Sequence, residues 1–236
     1  MKERNLLRIN NEFAYVFALC IQAFGVALIS AANVGVSMVI APALLFSQKF
    51  TFLTFGQCEY IVQGLLLIAF CITVRKFKWA YLSSFMSCLI YATFLDMWRA
   101  LIPLLNPVVT PPETLALGSR IVMFVCAVLI IEFSLAILNR TYFYPVLYDF
   151  FVRGITQRFK LNFVKVKTTY DMCSLAVSLI LSLVFFGRIA AIGVGTIIMA
   201  CINGYNINKI GQLLDKVCVL EPAAKKFSKH FDLTNI

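Results

Sequence analysis

Five acidic residues, Glu59, Asp96, Glu132, Asp149 and Asp171, lie in or beside long apolar runs. A charge at the centre of a bilayer costs about 2.5 to 3.5 kcal/mol even on the lenient insertion scale, so an acid kept there has a partner or a task. Glu132, within VLIIEFSLAIL, has no basic residue at helical spacing short of the end of its run and is the leading candidate. Glu59 directly precedes Tyr60 and Asp171 directly follows Tyr170, which puts an acid near the head of each of two runs that follow a short insert. Such groups suit a proton or cation relay, or the counter-charge for a cationic solute. The competing reading for Glu59 and Asp171 is hydration near a span end, or pairing with Lys49 or Lys167. Asp96 stands three residues before Arg99, a spacing that favours a local ion pair.

Amides and aromatics extend the set. Gln57 and Gln63 share a run with Glu59, and Asn203 and Asn206 stand in the last run. Asn33-Val34-Gly35 reads either as an unwound point, where free backbone groups bind an ion or an anionic group, or as a plain turn. Tyr148 and Asp149 belong to the aromatic stretch from Tyr142 to Phe151, which suits an aromatic wall for a flat or quaternary-ammonium solute, or an interfacial belt. The candidate substrate- or ion-binding residues are therefore Glu132, Glu59, Asp171, Asn33, Gln57, Asn203, Tyr148 and Asp149. No catalytic residue, metal site or cofactor is expected, and the chain does not read as an enzyme. The one histidine, His230, lies in the polar C-terminal stretch, which excludes a histidine-based triad within the membrane. The eight cysteines never fall as CxxC and read as buried, reduced packing residues.

The elements that must position these residues follow from hydropathy. With 61% hydrophobic and 14% charged residues and a mean hydropathy of +0.88, the chain is too apolar for an ordinary water-exposed surface and reads as an all-α integral membrane protein. Spans are expected near 13–34, 55–74 and 79–98, with an insert at 36–48, and again near 118–138, 169–186 and 189–207, with an insert at 145–157. Residues 103–117, rich in proline and free of lysine and arginine, form an extracytoplasmic linker between a first membrane repeat, 1–102, and a second, 118–207. Residues 208–236 form a cytoplasmic amphipathic tail. The N-terminal run is long enough to cross the bilayer and is read as a span, not a cleaved signal. With both termini cytoplasmic, every lysine and arginine except Lys49, Arg99, Arg120 and Arg188 falls on the inner side. The net charge of +10 then faces anionic lipid headgroups and not nucleic acid.

Ser47-Gln48-Lys49-Phe50 and Thr156-Gln157-Arg158-Phe159 are one tetrapeptide with conservative changes, each closing an insert. This suggests a chain written twice. Three spans per copy is an odd number, so the expected fold is six transmembrane helices in two inverted three-helix repeats, each with a short re-entrant or interfacial helix after its first span. The second half also resembles the YczE/YitT-like family of bacterial membrane proteins. The likeness rests on its insert, the Lys165-Val166-Lys167 run, Asp171, the Phe185-Phe186-Gly187 turn and Gly193-Val194-Gly195-Thr196. It implies a multi-spanning protein of the bacterial plasma membrane whose activity is poorly defined.

The functional expectation is a secondary transporter or exporter of a small organic solute, working by alternating access around Glu132, Glu59 and Asp171. The alternative is a non-transporting membrane partner or assembly factor that docks through the tail and basic loop. Expected partners are the solute or ion, lipid headgroups and a second copy in a homodimer.

Overall fold

The structure is a computed structural model that describes residues 7–79 and 81–223. Lys2, Arg4 and the part of the expected tail from 224 to 236, His230 included, lie outside the described residues. A short strand β1 (Leu7–Asn10) leads into α1 (Asn11–Ala32), followed by α2 (Ala41–Lys49), α3 (Phe55–Val74), α4 (Tyr81–Leu101), α5 (Leu117–Leu138), α6 (Leu147–Phe159), α7 (Phe163–Phe186) and α8 (Val194–Val217). Strand β2 (Cys218–Glu221) pairs in parallel with β1, Leu7 opposite Cys218.

Local chemistry sets the ends of these helices. Thr54 and Gln57 form a reciprocal capping box at the start of α3, and the Asn162 side chain accepts from the amides of Val164 and Lys165 at the start of α7. Asn33, Arg75, Lys160 and Gly187 close α1, α3, α6 and α7 in the left-handed conformation. The prolines between α4 and α5 leave only two short 3-10 turns, Pro103–Leu105 and Pro112–Thr114.

Four helices, α1, α3, α5 and α7, are long and apolar enough to cross a membrane. At about 1.5 Å per residue each reaches roughly 30 Å, the thickness of the hydrocarbon layer. This corrects the expectation of six transmembrane helices in two inverted three-helix repeats: eight helices are present among the described residues, and only these four qualify. The other two expected spans fail on composition, not length. Ser83, Ser84, Ser87, Thr93, Asp96 and Arg99 run through α4, and Asn203, Asn206, Lys209 and Asp215 through α8. On α4 these polar groups bind neighbouring segments: Ser84 Oγ donates to Pro145 O (2.5 Å) and Ser87 Oγ to Tyr144 O (3.2 Å).

The core sits around α1, which packs most extensively against α5 and then against α4. An added Cβ on Gly25 would lie 2.7 Å from the Ile131 side chain, so the α1–α5 crossing is as close as it is because that residue is glycine. Helix α4 carries α3 on its other side, and α5 carries α8. The two short helices, α2 and α6, each contact both α3 and α7. Beneath α6, Tyr144, Leu147 and Phe150 bury against Phe70, Val74 and Tyr81, so this part of the aromatic stretch is interior packing. The cysteines divide: Cys58 and Cys88 are buried as expected, whereas Cys126, Cys173 and Cys201 are exposed on the flanks of α5, α7 and α8.

Candidate functional site

Glu59 occupies the first turns of α3 on the face turned toward α4 and α6, and its side chain is fully buried. One carboxylate oxygen, Oε2, accepts from Gln63 Nε2 (2.9 Å) and from the Tyr148 hydroxyl (2.8 Å). Gln63 is one helical turn below, and its own oxygen accepts from the backbone N–H of Leu147 (3.2 Å) at the start of α6. The amide therefore ties the acid to an otherwise orphaned N–H of the short helix. The other oxygen, Oε1, is buried with no hydrogen-bond partner, and the buried hydroxyl of Tyr91 on α4 is likewise unpartnered and within electrostatic reach of Glu59. Cys88, one turn before Tyr91, points its thiol at the Glu59 carbonyl (3.9 Å).

A buried carboxylate with a lone oxygen free of donors is an uncommon arrangement, since a charge removed from water takes on a partner or a proton. It can accept a proton on that oxygen or bind a cation against it. No group of three or more histidine, cysteine, aspartate or glutamate residues able to hold a metal ion occurs among the described residues.

The remaining candidates separate into different places. Glu132 is also fully buried, on α5 facing α8. Asn206 Nδ2 donates to both its oxygens (3.0 and 3.1 Å). The Asn203 amide, with its nitrogen turned toward the acid, reaches Glu132 Oε1 (3.3 Å) and Met199 O (3.2 Å). Glu132 and Asn203 thus meet, as a fully bonded acid between two helices. Asp171 pairs with Lys167 one turn earlier (3.0 Å), so the local-pair reading holds there. Asp149 opens α6 within electrostatic reach of Tyr170 and Asp171. Gln57 serves the capping box of α3.

Asn33 caps α1: Arg120 donates to the carbonyls of Ala32 (2.8 Å) and Asn33 (2.5 Å). The break after Asn33 is a backbone crossing, where Val34 O accepts from Gly195 N and Val36 N donates to Ala191 O (3.1 Å each). Asp96 does not pair with Arg99. It accepts from Thr54 Oγ1 (2.5 Å) and Gly56 N (2.8 Å) at the start of α3, while the Arg99 guanidinium lies over the Phe55 ring (5.3 Å).

Sequence reasoning did not connect Tyr91 or Cys88 to Glu59. Nothing in an apolar run marks which aromatic faces an acid on another helix. Gln63 carried a readable signal, its position four residues after Glu59. The profile of a family of unknown function, DUF6198, matches residues 9–212. The chain belongs to DUF6198. No curated protein and no solved structure matches it. This DUF6198 member is a membrane-associated protein with several apolar helices, and its likeness to the YczE/YitT-like proteins rests on motifs alone.

Proposed function

We propose that this DUF6198 protein carries a small organic solute across the membrane, with Glu59 as the group whose ion binding couples to the movement. The observation that carries this reading is the unpartnered Oε1 of Glu59, buried between α3, α4 and α6. A purely structural acid would be satisfied at both oxygens, as Glu132 is. Burial among apolar helices makes the bare carboxylate of Glu59 expensive unless the helices around it rearrange, so gain and loss of its proton or ion are linked to helix packing, and such an energetic link is what coupled transport requires. The bonds from Tyr148 and Gln63 make α6 the element that senses the change. Glu132, held by α8, belongs to a second layer in this reading and positions that helix.

The likeness to the YczE/YitT-like proteins supports placing the protein in a bacterial plasma membrane. The test is reconstitution of the full chain in vesicles under an imposed ion gradient, with uptake of a panel of small radiolabelled cations, amino acids and neutral solutes. Gradient-driven uptake of at least one solute, lost in Glu59→Gln, is expected. Uptake by Glu59→Gln equal to the parent's would remove Glu59 from the mechanism, and a stoichiometric copurifying protein with no uptake at all would favour the docking alternative.

A further inference from the structure

A cavity of about 490 Å³ lies among the first turns of α1, the ends of α5 and α8, and the two strands. None of its lining residues belongs to α3, α4 or α6, so it is separate from the Glu59 site. Its volume falls within the range of small-ligand pockets, roughly 300 to 1,000 Å³.

The walls sort by depth. Helix α1 begins where α5 ends, and there Tyr142 N donates to the Asn11 side chain (3.2 Å). From that level into the apolar runs, the lining passes from Phe13 to Phe17 on α1 and from Ile137 to Phe133 on α5. Phe13 is 66% and Phe17 45% exposed, so the cavity opens on the outer surface of two helices able to cross a membrane. Its other end is polar. Arg140, just past α5, and Asp215, in the last turn of α8, line it there. A site that is apolar at membrane depth and charged at the level of the helix ends matches an alkyl chain carrying a headgroup, standing as lipids stand in the adjoining layer.

The headgroup follows from the hydrogen-bonding capacity left on that pair. Arg140 Nε and Nη2 donate to the two Asp215 oxygens (2.5 and 2.7 Å), and Nη1 donates to Ala136 O (3.0 Å). A guanidinium has five N–H groups, so among the described residues one remains on Nη1 and one on Nη2. Two neighbouring N–H groups suit two oxygens of one phosphate. The guanidinium is held from behind, since an added Cβ on Gly211 of α8 would overlap it. Asp215 keeps acceptor sites after its two bonds, and its side chain is 59% exposed. The pair is neutral as a whole, and so is the Arg8–Glu221 pair on the strands (3.6 Å). Glu12, in the first turn of α1, is bound to the Tyr142 hydroxyl and the Ala223 N–H. An anionic head would gain Arg140 but lie against the Asp215 carboxylate. A zwitterion with a phosphate and an N–H-bearing ammonium satisfies both.

We propose that this cavity binds one phospholipid with a phosphoethanolamine head. The phosphate accepts from the remaining N–H groups of Arg140, the ammonium donates to Asp215, and an acyl chain fills the apolar part between α1 and α5. A phosphocholine head, whose ammonium carries no N–H, forgoes the bond to Asp215. A phosphoglycerol head has no cation to meet that acid.

The test is native mass spectrometry of the purified full chain in detergent, titrated separately with dioleoyl phosphatidylethanolamine, phosphatidylcholine and phosphatidylglycerol. One phosphatidylethanolamine per chain is expected to be retained roughly tenfold more tightly than either other lipid, the worth of one charge-assisted hydrogen bond. A phosphatidylethanolamine with a photoreactive diazirine on its acyl chain should then crosslink to the peptides holding Phe13, Phe17 and Phe133. Both measurements use the unmutated chain, so neither depends on how a variant folds. Equal retention of the three lipids, retention of none, or a preference for phosphatidylglycerol overturns the headgroup assignment, and crosslinks confined to other segments overturn the site. In Asp215→Asn the preference for phosphatidylethanolamine over phosphatidylcholine should shrink to about threefold or less; an unchanged preference overturns the role given to Asp215.

Discussion

Replacing Glu59 by glutamine and by alanine separates what its carboxylate accepts from what it charges. Both variants are neutral, so any cost of burying a charge cancels when they are compared with each other. Glutamine keeps an oxygen where Oε2 accepts from Tyr148 and Gln63, and it sets its NH2 where Oε1 has no partner. Alanine leaves two buried donors unsatisfied, at about 1 to 3 kcal/mol each, and opens a cavity under α6. Setting the unpartnered NH2 of the glutamine against these, the glutamine variant should be more stable than the alanine variant by about 2 to 4 kcal/mol. The assay is reversible unfolding in mixed micelles of rising denaturing detergent, followed by helical circular dichroism. Equal stability of the two variants would refute the hydrogen-bond geometry assigned to Glu59, and with it the link between that acid and α6.

Three further expectations follow from other contacts. An added Cβ on Gly195 would stand 2.5 Å from the Phe124 ring and 3.1 Å from Val34 O, so Gly195→Ala should destabilise the protein by about 1 to 3 kcal/mol in the same assay, whereas Gly204→Ala, with nothing within 4 Å of its added Cβ, should not. The Arg140 side chain donates to both Asp215 oxygens (2.5 and 2.7 Å), and this hydrogen bonding, with the charge of the guanidinium, holds the Asp215 carboxyl below the usual carboxylate range. A depressed folded-state value means that the stabilisation is present above the unfolded carboxylate value of about 3.9 and is lost as pH falls through the lower folded value; the difference in unfolding midpoint between the parent and Asp215→Asn should therefore be constant near neutrality and shrink below about pH 4. A maleimide should label Cys201, exposed on α8, but not Cys58 or Cys88 in folded protein, as peptide mass spectrometry would show; rapid labelling of Cys88 would contradict the packing of α4 on α3.

Some of this protein was legible in its residues because the signal is local. A run such as that of α5 is apolar along its whole length, so hydropathy alone identifies it as able to cross a bilayer. Helical spacing likewise joins Lys167 to Asp171 and Glu59 to Gln63 within single helices. The two inserts are recognisable as short because charged or turn-forming residues bound them. Tertiary structure decided everything that depends on which face meets which neighbour. Asp96 was free, on spacing, to pair with Arg99, and it caps α3 instead because the close approach at Gly56 brings that helix start against it. Counting apolar letters made α4 and α8 into spans, yet Ser84, Ser87 and Asn206 on them bond to Pro145, Tyr144 and Glu132 on neighbouring segments. Glu59 and Tyr148 are far apart in sequence and share a hydrogen bond only because α6 folds back between α3 and α7. Periodicity describes one helix at a time, whereas the free oxygen of Glu59 is a property of three.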